Sequence, residues 1–237
     1  MIKQNIFSYL RDNSYPGRSI VLGRSTDGKN AVIAYFIMGR SENSRNRIFA
    51  EDGNGIITQA YDPSRLTDPS LVIYSPVKVL GHTTIVTNGA QTDTIYDYLR
   101  CDKAFEEALR TWSYEPDAPH YTPRISALMT VKDNTMCYRL SILKSSYGNP
   151  KGNQRFFYEY DYAPKGEGHI IHTYERDAEP LPSYQGEPKR IAIEGNIDEF
   201  GDRLWDSQNS DNKISLFVRY INIATGQWVS KIYNKNR

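Results

Sequence analysis

The chain has 237 residues, and 29 Lys plus Arg against 28 Asp plus Glu leave a formal charge of +1. That balance argues against a general binder of nucleic acid or anionic membrane, so any cationic site must be local. With 24% charged residues and only 16 Gly and 12 Pro, the composition is that of a folded chain, and the length favours one domain.

Ile6 and Leu10 continue a four-residue spacing begun at Ile2, which predicts a short helix stopped by Tyr15-Pro16-Gly17. Ser19 to Gly23 and Ala31 to Met38 read as strands joined across Asp27-Gly28, a hairpin signal because both residues tolerate positive φ. The second run has no polar alternation, so it should be a central strand covered on both faces. Leu71 to Val79 and Thr83 to Thr87 form the next expected strand pair, broken at Asn88-Gly89. A helix capped by Thr92 or Asp93 should then run through Ile95, Leu99, Phe105, Leu109 and Trp112, the longest in the chain. Ile125 to Val131 and Met136 to Leu143 predict a hairpin over Asp133-Asn134, followed by strands at Arg155 to Tyr162 and His169 to Tyr174. Ile197, Phe200 and Leu204 support a third helix, and Ile214 to Ile223 with Gln227 to Tyr233 a closing hairpin. Strand pairs with helices between them predict two sheets flanked by helices in one α+β domain. Residues 145 to 190, rich in Gly, Pro and Tyr, read as an elaborated surface excursion.

Cys101 and Cys137 are too few for a disulfide framework, and no Cys/His spacing suits zinc. Residues 1–7 lack a signal-peptide core, and no stretch approaches the roughly 18 apolar residues of a membrane span, so a soluble, cytoplasmic protein is expected. His169 and His172 stand three apart in a strand and so on opposite faces, which disfavours a metal pair. Gly166-Glu167-Gly168-His169 sets a carboxylate beside an imidazole, although a plain turn explains the spacing as well. Hydrolase-elbow, P-loop, dinucleotide and zincin motifs are all missing, and no metal or cofactor is implied. The densest polar run is Gly39 to Arg47, with three arginines in eight residues directly after the apolar strand. Guanidinium forks match phosphate oxygens, which points to phosphate or a phosphorylated metabolite; a solvated basic turn is the equal alternative. Arg18 and Arg124 also stand at strand starts, where they can converge with that run on one edge.

Tyr15-Pro16-Gly17-Arg18, the run from Ala34 to Arg47, and Thr122-Pro123-Arg124-Ile125 together resemble the archaeal-type IMP cyclohydrolase family. Val77-Lys78-Val79 and Thr87 to Asp93 continue the likeness in order, and Gly166 to Tyr174 looks like its longer bacterial branch. The resemblance implies a four-layered αββα sandwich like that of the N-terminal nucleophile hydrolases, without their self-processing or nucleophile. It implies closure of 5-formamidoimidazole-4-carboxamide ribotide to IMP with loss of water, with no metal, cofactor, nucleic acid or membrane involved. By motif position Tyr74 and Glu115 match the family's proposed catalytic tyrosine and glutamate, and Arg45 is expected to assist them. Tyr15, Arg18, Arg40, Ser41, Asn43, Asn88, Asp93, Thr122 and Arg124 are the expected ribotide contacts. A non-catalytic purine-nucleotide-binding protein on the same fold is the second reading, and the resemblance does not fix the oligomeric state.

Overall fold

The computed structural model describes residues 3–66, 69 and 73–236. In chain order the elements are β1 (Gln4–Asn5), α1 (Ile6–Arg11), β2 (Ser19–Arg24), β3 (Asn30–Met38), α2 (Glu42–Arg45), β4 (Arg47–Asp52) and β5 (Gly55–Ala60). They continue with β6 (Val77–Leu80), β7 (Thr83–Thr87), α3 (Gln91–Arg100), α4 (Phe105–Arg110), β8 (Arg124–Lys132), β9 (Thr135–Ser146) and β10 (Asn149–Tyr160). The last are β11 (Glu167–His172), β12 (Lys189–Ala192), α5 (Ile197–Asp206), β13 (Lys213–Asn222) and β14 (Trp228–Asn234). The chain forms a single α+β domain with two seven-stranded sheets, ordered β1-β12-β11-β2-β3-β13-β14 and β10-β9-β8-β7-β6-β5-β4. Every pairing is antiparallel except β1 with β12.

Strand β3 explains the packing. Its alternate residues Ala31, Ile33, Tyr35 and Ile37 enter a core shared with Phe49, Val86, Ile125 and Ala127 of the second sheet. Val32, Ala34, Phe36 and Met38 point the other way, into a cluster with Ile6, Phe7 and Leu10 of α1 and Phe200 and Leu204 of α5. A strand buried on both faces needs no polar alternation, as its sequence indicates. A third cluster joins Ile95 of α3 and Phe105, Ala108 and Leu109 of α4 to Ile85, Leu128 and Leu143 of the second sheet. Each such buried aliphatic or aromatic side chain contributes about 1.5–3 kcal/mol, so these clusters dominate what holds the layers together.

Local signals set the element ends. Asn5 accepts from the amides of Phe7 and Ser8 at 3.0 and 3.1 Å to start α1, and Asn196 with Glu199 forms a capping box at α5. The β8–β9 hairpin turns on Asp133 and Asn134 with φ of 52° and 59°, the mirror-image turn that strand twist favours.

Four expectations change. The single helix to Trp112 is two, because Asp102 takes φ 54° and breaks the helix between α3 and α4. The hydrophobic period survives the break because both helices lie on the same face of the second sheet. Neither Thr92 nor Asp93 caps α3; its N-cap is Ala90, and the Thr92 hydroxyl is turned inward onto Thr87 at 2.6 Å. Strand β6 begins at Val77, while Leu71, Val72 and Ile2 lie outside the described residues. Residues 145–190 supply β10 at one edge of the second sheet and β11 inside the first, between β12 and β2. Among the described residues no helix is long and apolar enough to cross a membrane.

Gly168 and Gly23 face each other across β11 and β2, and the side chain of Ile193 lies over both. A Cβ at Gly23 would stand 2.4 Å from the Glu167 carbonyl oxygen and 2.5 Å from Ile193 Cδ1. Gly23→Ala should therefore destabilise the protein by about 1–3 kcal/mol, the usual cost of overpacking. Urea unfolding of the two proteins checks this, and an unchanged midpoint would contradict it.

Candidate active site

Three arginines open strands at the same end of the two sheets: Arg18 just before β2, Arg47 at the start of β4 and Arg124 at the start of β8. Their guanidinium groups surround Glu115, which sits 1% exposed on the loop after α4. Arg124 Nη1 is 3.7 Å and Arg18 Nη2 4.0 Å from the Glu115 carboxylate, close enough for charge attraction but too long for hydrogen bonds. Arg47 Nη1 and Nη2, Arg18 Nε, Arg124 Nε and Glu115 Oε1 have no hydrogen-bond partner among the described residues. Buried donors left this way are rare in folded proteins, and their concentration here makes this the candidate site.

The surrounding structure aims these groups. The Asn88 carboxamide accepts from the Ile125 amide at 2.8 Å and donates to the Pro123 carbonyl at 2.9 Å, which fixes the backbone on both sides of Arg124. Arg124 Nη1 donates to Gln91 at 3.0 Å while its guanidinium lies against the Trp112 ring. Gly89 makes that pose feasible, since a Cβ there would come within 2.4 Å of Arg124 Nη1. Arg47 donates through Nε to the Ser44 carbonyl at 2.7 Å, leaving its outer nitrogens for the cluster. Gly17, at φ 79°, brings the chain against Thr173 and the Tyr174 ring; the Arg18 amide then donates to the Thr173 hydroxyl at 3.1 Å and the Thr173 amide to the Arg18 carbonyl at 3.0 Å.

Tyr74 lies in the connection before β6, tied to Thr58 of β5 through both backbone groups. Its hydroxyl meets that of Tyr35 from β3 at 2.7 Å. Burial raises the pKa of both phenols, and the charges of Arg47 and Arg18 partly offset this at each. Either hydroxyl can donate to the other, so one of the two phenolic protons is left for a third partner. Burial likewise pushes the Glu115 carboxyl above the ordinary range, against the pull of Arg18 and Arg124. At Arg18 burial opposes the charge, but Glu115 and the neighbouring tyrosines outweigh it and the pKa rises. Arg47 is lowered by burial and by the second cation, Arg18. The result is a site with excess positive charge, one carboxyl and a pair of neutral phenols.

The structure thus brings together Arg18, Tyr74, Glu115, Thr122 and Arg124, with Tyr15 stacked on Tyr174 beside them. Arg40 lies at the rim, its guanidinium over the Tyr15 ring and bonded to Asp177 at 2.9 Å and Glu179 at 3.1 Å. Arg45 is exposed, and its nitrogens bind the Gly39 carbonyl and Asn212. Ser41 caps α2, which contains Asn43, and Asn88 works on the backbone around Arg124. Asp93 points outward to Lys78 at 2.5 Å. Arg47 belongs to the expected phosphate-binding run but is not among the site residues named from the sequence, and Tyr35, Tyr174 and Asp117 are not among them either. Arg47 was visible in alternation: Arg47 and Phe49 share a face of β4, ahead of the Asp52-Gly53-Asn54-Gly55 turn. His169 and His172 do face opposite sides of β11, His169 bonded to Tyr138 at 2.7 Å and His172 to Tyr9 at 2.5 Å. Among the described residues no His, Cys, Asp and Glu cluster has metal-binding geometry.

Fold and cluster together define an α+β protein of two packed sheets with a buried group of cations and unpartnered donors at one end. Residues 15–226 match the IMP cyclohydrolase-like protein family, and the chain belongs to it. It is 29% identical over 172 residues to the IMP cyclohydrolase of Methanopyrus kandleri, covering 71% of this chain and 79% of that protein. It is 31% identical over 128 residues to the IMP cyclohydrolase of Methanococcus maripaludis strain C7, and 32% over 126 residues to that of Methanocaldococcus jannaschii. These two matches cover 52% of this chain and 62% and 59% of the relatives, so the chain spans under two thirds of their length.

The raised Glu115 pKa carries a pH signature. The native state holds this proton more tightly than the unfolded chain, so the group's contribution is fully present below the ordinary value of 4.5 and is lost as pH rises through the folded value. The stability of the protein relative to Glu115→Gln should fall as pH increases above 4.5 and then level off. Urea unfolding of both between about pH 4 and 8 measures this, and a difference that rises with pH would contradict it.

Proposed function

We propose that the cluster around Glu115 is the catalytic centre of an IMP cyclohydrolase. The observation that carries the reading is the meeting of Tyr74, Glu115 and three arginines with unpartnered donors at one end of the fold. The substrate in this reading is 5-formamidoimidazole-4-carboxamide ribotide, as the family resemblance implies, and the relatives' name, IMP cyclohydrolase, agrees with IMP as the product. The three apolar clusters support a four-layered αββα arrangement of the kind seen in N-terminal nucleophile hydrolases. That likeness concerns architecture and not chemistry.

The carboxamide nitrogen attacks the formyl carbon within one molecule, and holding the two in contact lowers the barrier by up to roughly 7–11 kcal/mol. As the N–C bond forms, the Glu115 carboxylate takes a proton from that nitrogen, and Tyr74 gives one to the formyl oxygen. Arg47, with both outer nitrogens unspent, stabilises the developing oxyanion and the transient Tyr74 phenolate. The carbinol hydroxyl then leaves as water with the proton held on Glu115, while Tyr74 recovers one from the formamide nitrogen to complete the C=N bond. Arg47 takes the part that sequence position gave to Arg45. Arg18 and Arg124 hold Glu115 and supply further donors to the substrate. The step transfers only protons and the guanidinium groups supply the positive charge, so we infer that it needs no metal or cofactor. A cytoplasmic enzyme acting on a small ribotide follows from this reading.

The dianionic phosphate is the part of the ribotide most costly to desolvate, so we assign it to the half-exposed rim, where Arg40 stands with Tyr15, Ser41 and Asn43 nearby. Arg40→Ala should weaken IMP binding about tenfold or more, the scale of a lost charge-assisted hydrogen bond, and leave inosine binding unchanged. Calorimetric titration checks this; an equal loss for both ligands would remove Arg40 from the phosphate site.

The protein should convert the formamido ribotide to IMP at a rate indifferent to EDTA. Tyr74→Phe and Glu115→Gln should each lower single-turnover rates by about 10²–10⁴ while IMP affinity stays near that of the parent. Near-parental rates in both would overturn the assignment of chemistry to these groups. IMP binding without any turnover would favour a nucleotide-binding protein on the same fold.

A further inference from the structure

The loop from Glu115 to Arg124 is closed by a set of bonds that the reaction above does not use. Both oxygens of the Asp117 carboxylate are taken by one residue: Thr122 donates its amide to Oδ1 at 2.7 Å and its hydroxyl to Oδ2. The carbonyl of the same Thr122 accepts from the Glu115 amide at 2.9 Å. Inside the loop the amides of His120 and Tyr121 donate to the Asp117 carbonyl. Thr122 has one hydroxyl proton, which goes to Asp117, so the hydroxyl of Tyr174, which also bonds Thr122 Oγ1, donates to it. The chain therefore runs one way, from Tyr174 through Thr122 to Asp117. Tyr174 is 2% exposed and is stacked on Tyr15, so its end of the chain is fixed by packing.

We propose that Asp117 is a positioning residue for Glu115, acting through Thr122, with Tyr174 anchoring the chain from the 145–190 segment. Asp117 holds Thr122, Thr122 holds the Glu115 backbone, and Glu115 is thereby kept at charge-attraction distance from Arg18 and Arg124 without hydrogen-bonding either. A carboxylate left unbonded by its cations is free to exchange a proton with a substrate. Asp117 also acts through its charge. The groups that face Glu115 are Arg18, Arg124 and Arg47, which favour its anion, Asp117, which together with burial disfavours it, and Tyr74, whose phenol the Glu115 charge helps to keep protonated. The functional part of this inference rests on Glu115 being the proton-transfer group of the proposed reaction. The coupling between the two carboxyls does not.

Two measurements test it. In the first, the ¹³C-labelled Glu115 carboxyl is titrated by NMR in ligand-free protein. Asp117→Asn should move its midpoint to lower pH, whereas Thr122→Val, which keeps the Asp117 charge, should leave it raised. In the second, single-turnover rates are followed against pH. Asp117→Asn and Thr122→Val should each lose at least tenfold in rate with IMP affinity within about threefold of the parent, and Thr122→Ser, which retains the hydroxyl, should recover it. If Asp117→Asn does not fold, the Thr122→Val and Thr122→Ser pair carries the positioning test alone. An unmoved Glu115 midpoint in a folded Asp117→Asn protein, or a Thr122→Val rate equal to the parent's, would overturn the proposal. Should the parent form no IMP while the Asp117→Asn midpoint moves, the proposed reaction fails and the carboxyl coupling stands.

Discussion

Three guanidinium groups withdrawn from water around a single buried carboxylate are the constraint on which this site depends. A guanidinium stays charged wherever it is placed, and a buried charge without a full complement of partners is costly. Arg47 is the extreme case: wholly buried, beside another cation, with two nitrogens unbonded. Nothing local holds such an arrangement together. The three apolar clusters stabilise the sheets strongly enough for strand starts to carry these charges inward, and the excess becomes donor capacity toward an anion. Because Asn88, Ser44 and Thr173 lock the backbone or the side-chain root of each arginine, the donors need little rearrangement when charge develops between them in the proposed reaction.

The elements that were legible in the sequence are those whose signals are local. The unbroken apolar run of β3, the Asp133-Asn134 turn and the closing β13–β14 hairpin each carry their reason within a few residues. The β4–β5 hairpin was passed over because its six-residue strands mix polar and apolar residues on both faces, and with it went Arg47 as a named site residue. The merged helix had a different cause. Periodicity reports which face a residue occupies, and α3 and α4 occupy the same face of one sheet, so the pattern runs through a break that only the positive φ of Asp102 reveals.

The site shows the same division. Arg18 and Arg124 were legible because they stand at strand starts next to Pro-Gly and Thr-Pro turns, and Tyr74 and Glu115 because of a family resemblance. What the resemblance could not rank was the run from Arg40 to Arg47, whose three arginines have three fates: Arg40 at the rim, Arg45 on the surface and Arg47 inside. Strand parity decides among them, since Arg47 shares the inward face of β4 with Phe49. Tyr35 and Tyr174 were hidden for want of partners, since a hydroxyl in an apolar run gains meaning only when another segment brings Tyr74 or Thr122 against it.

The rim and the interior differ in how firmly their charges are committed. Arg40 is bonded to Asp177 and Glu179, whose side chains are 39% and 70% exposed, and ion pairs so open to water contribute little. Such contacts exchange readily for a phosphate, which offers more charge and more oxygens to the same guanidinium. Arg18 and Arg124 are committed to Glu115 in a water-poor setting, where the attraction is stronger and the geometry is set by folding. In the proposed reaction the two regions match the two tasks of a ribotide site. The phosphate end must be gripped and released in every turnover, which suits exchangeable rim pairs, and the reacting end needs donors whose positions do not change, which suits arginines fixed between two sheets.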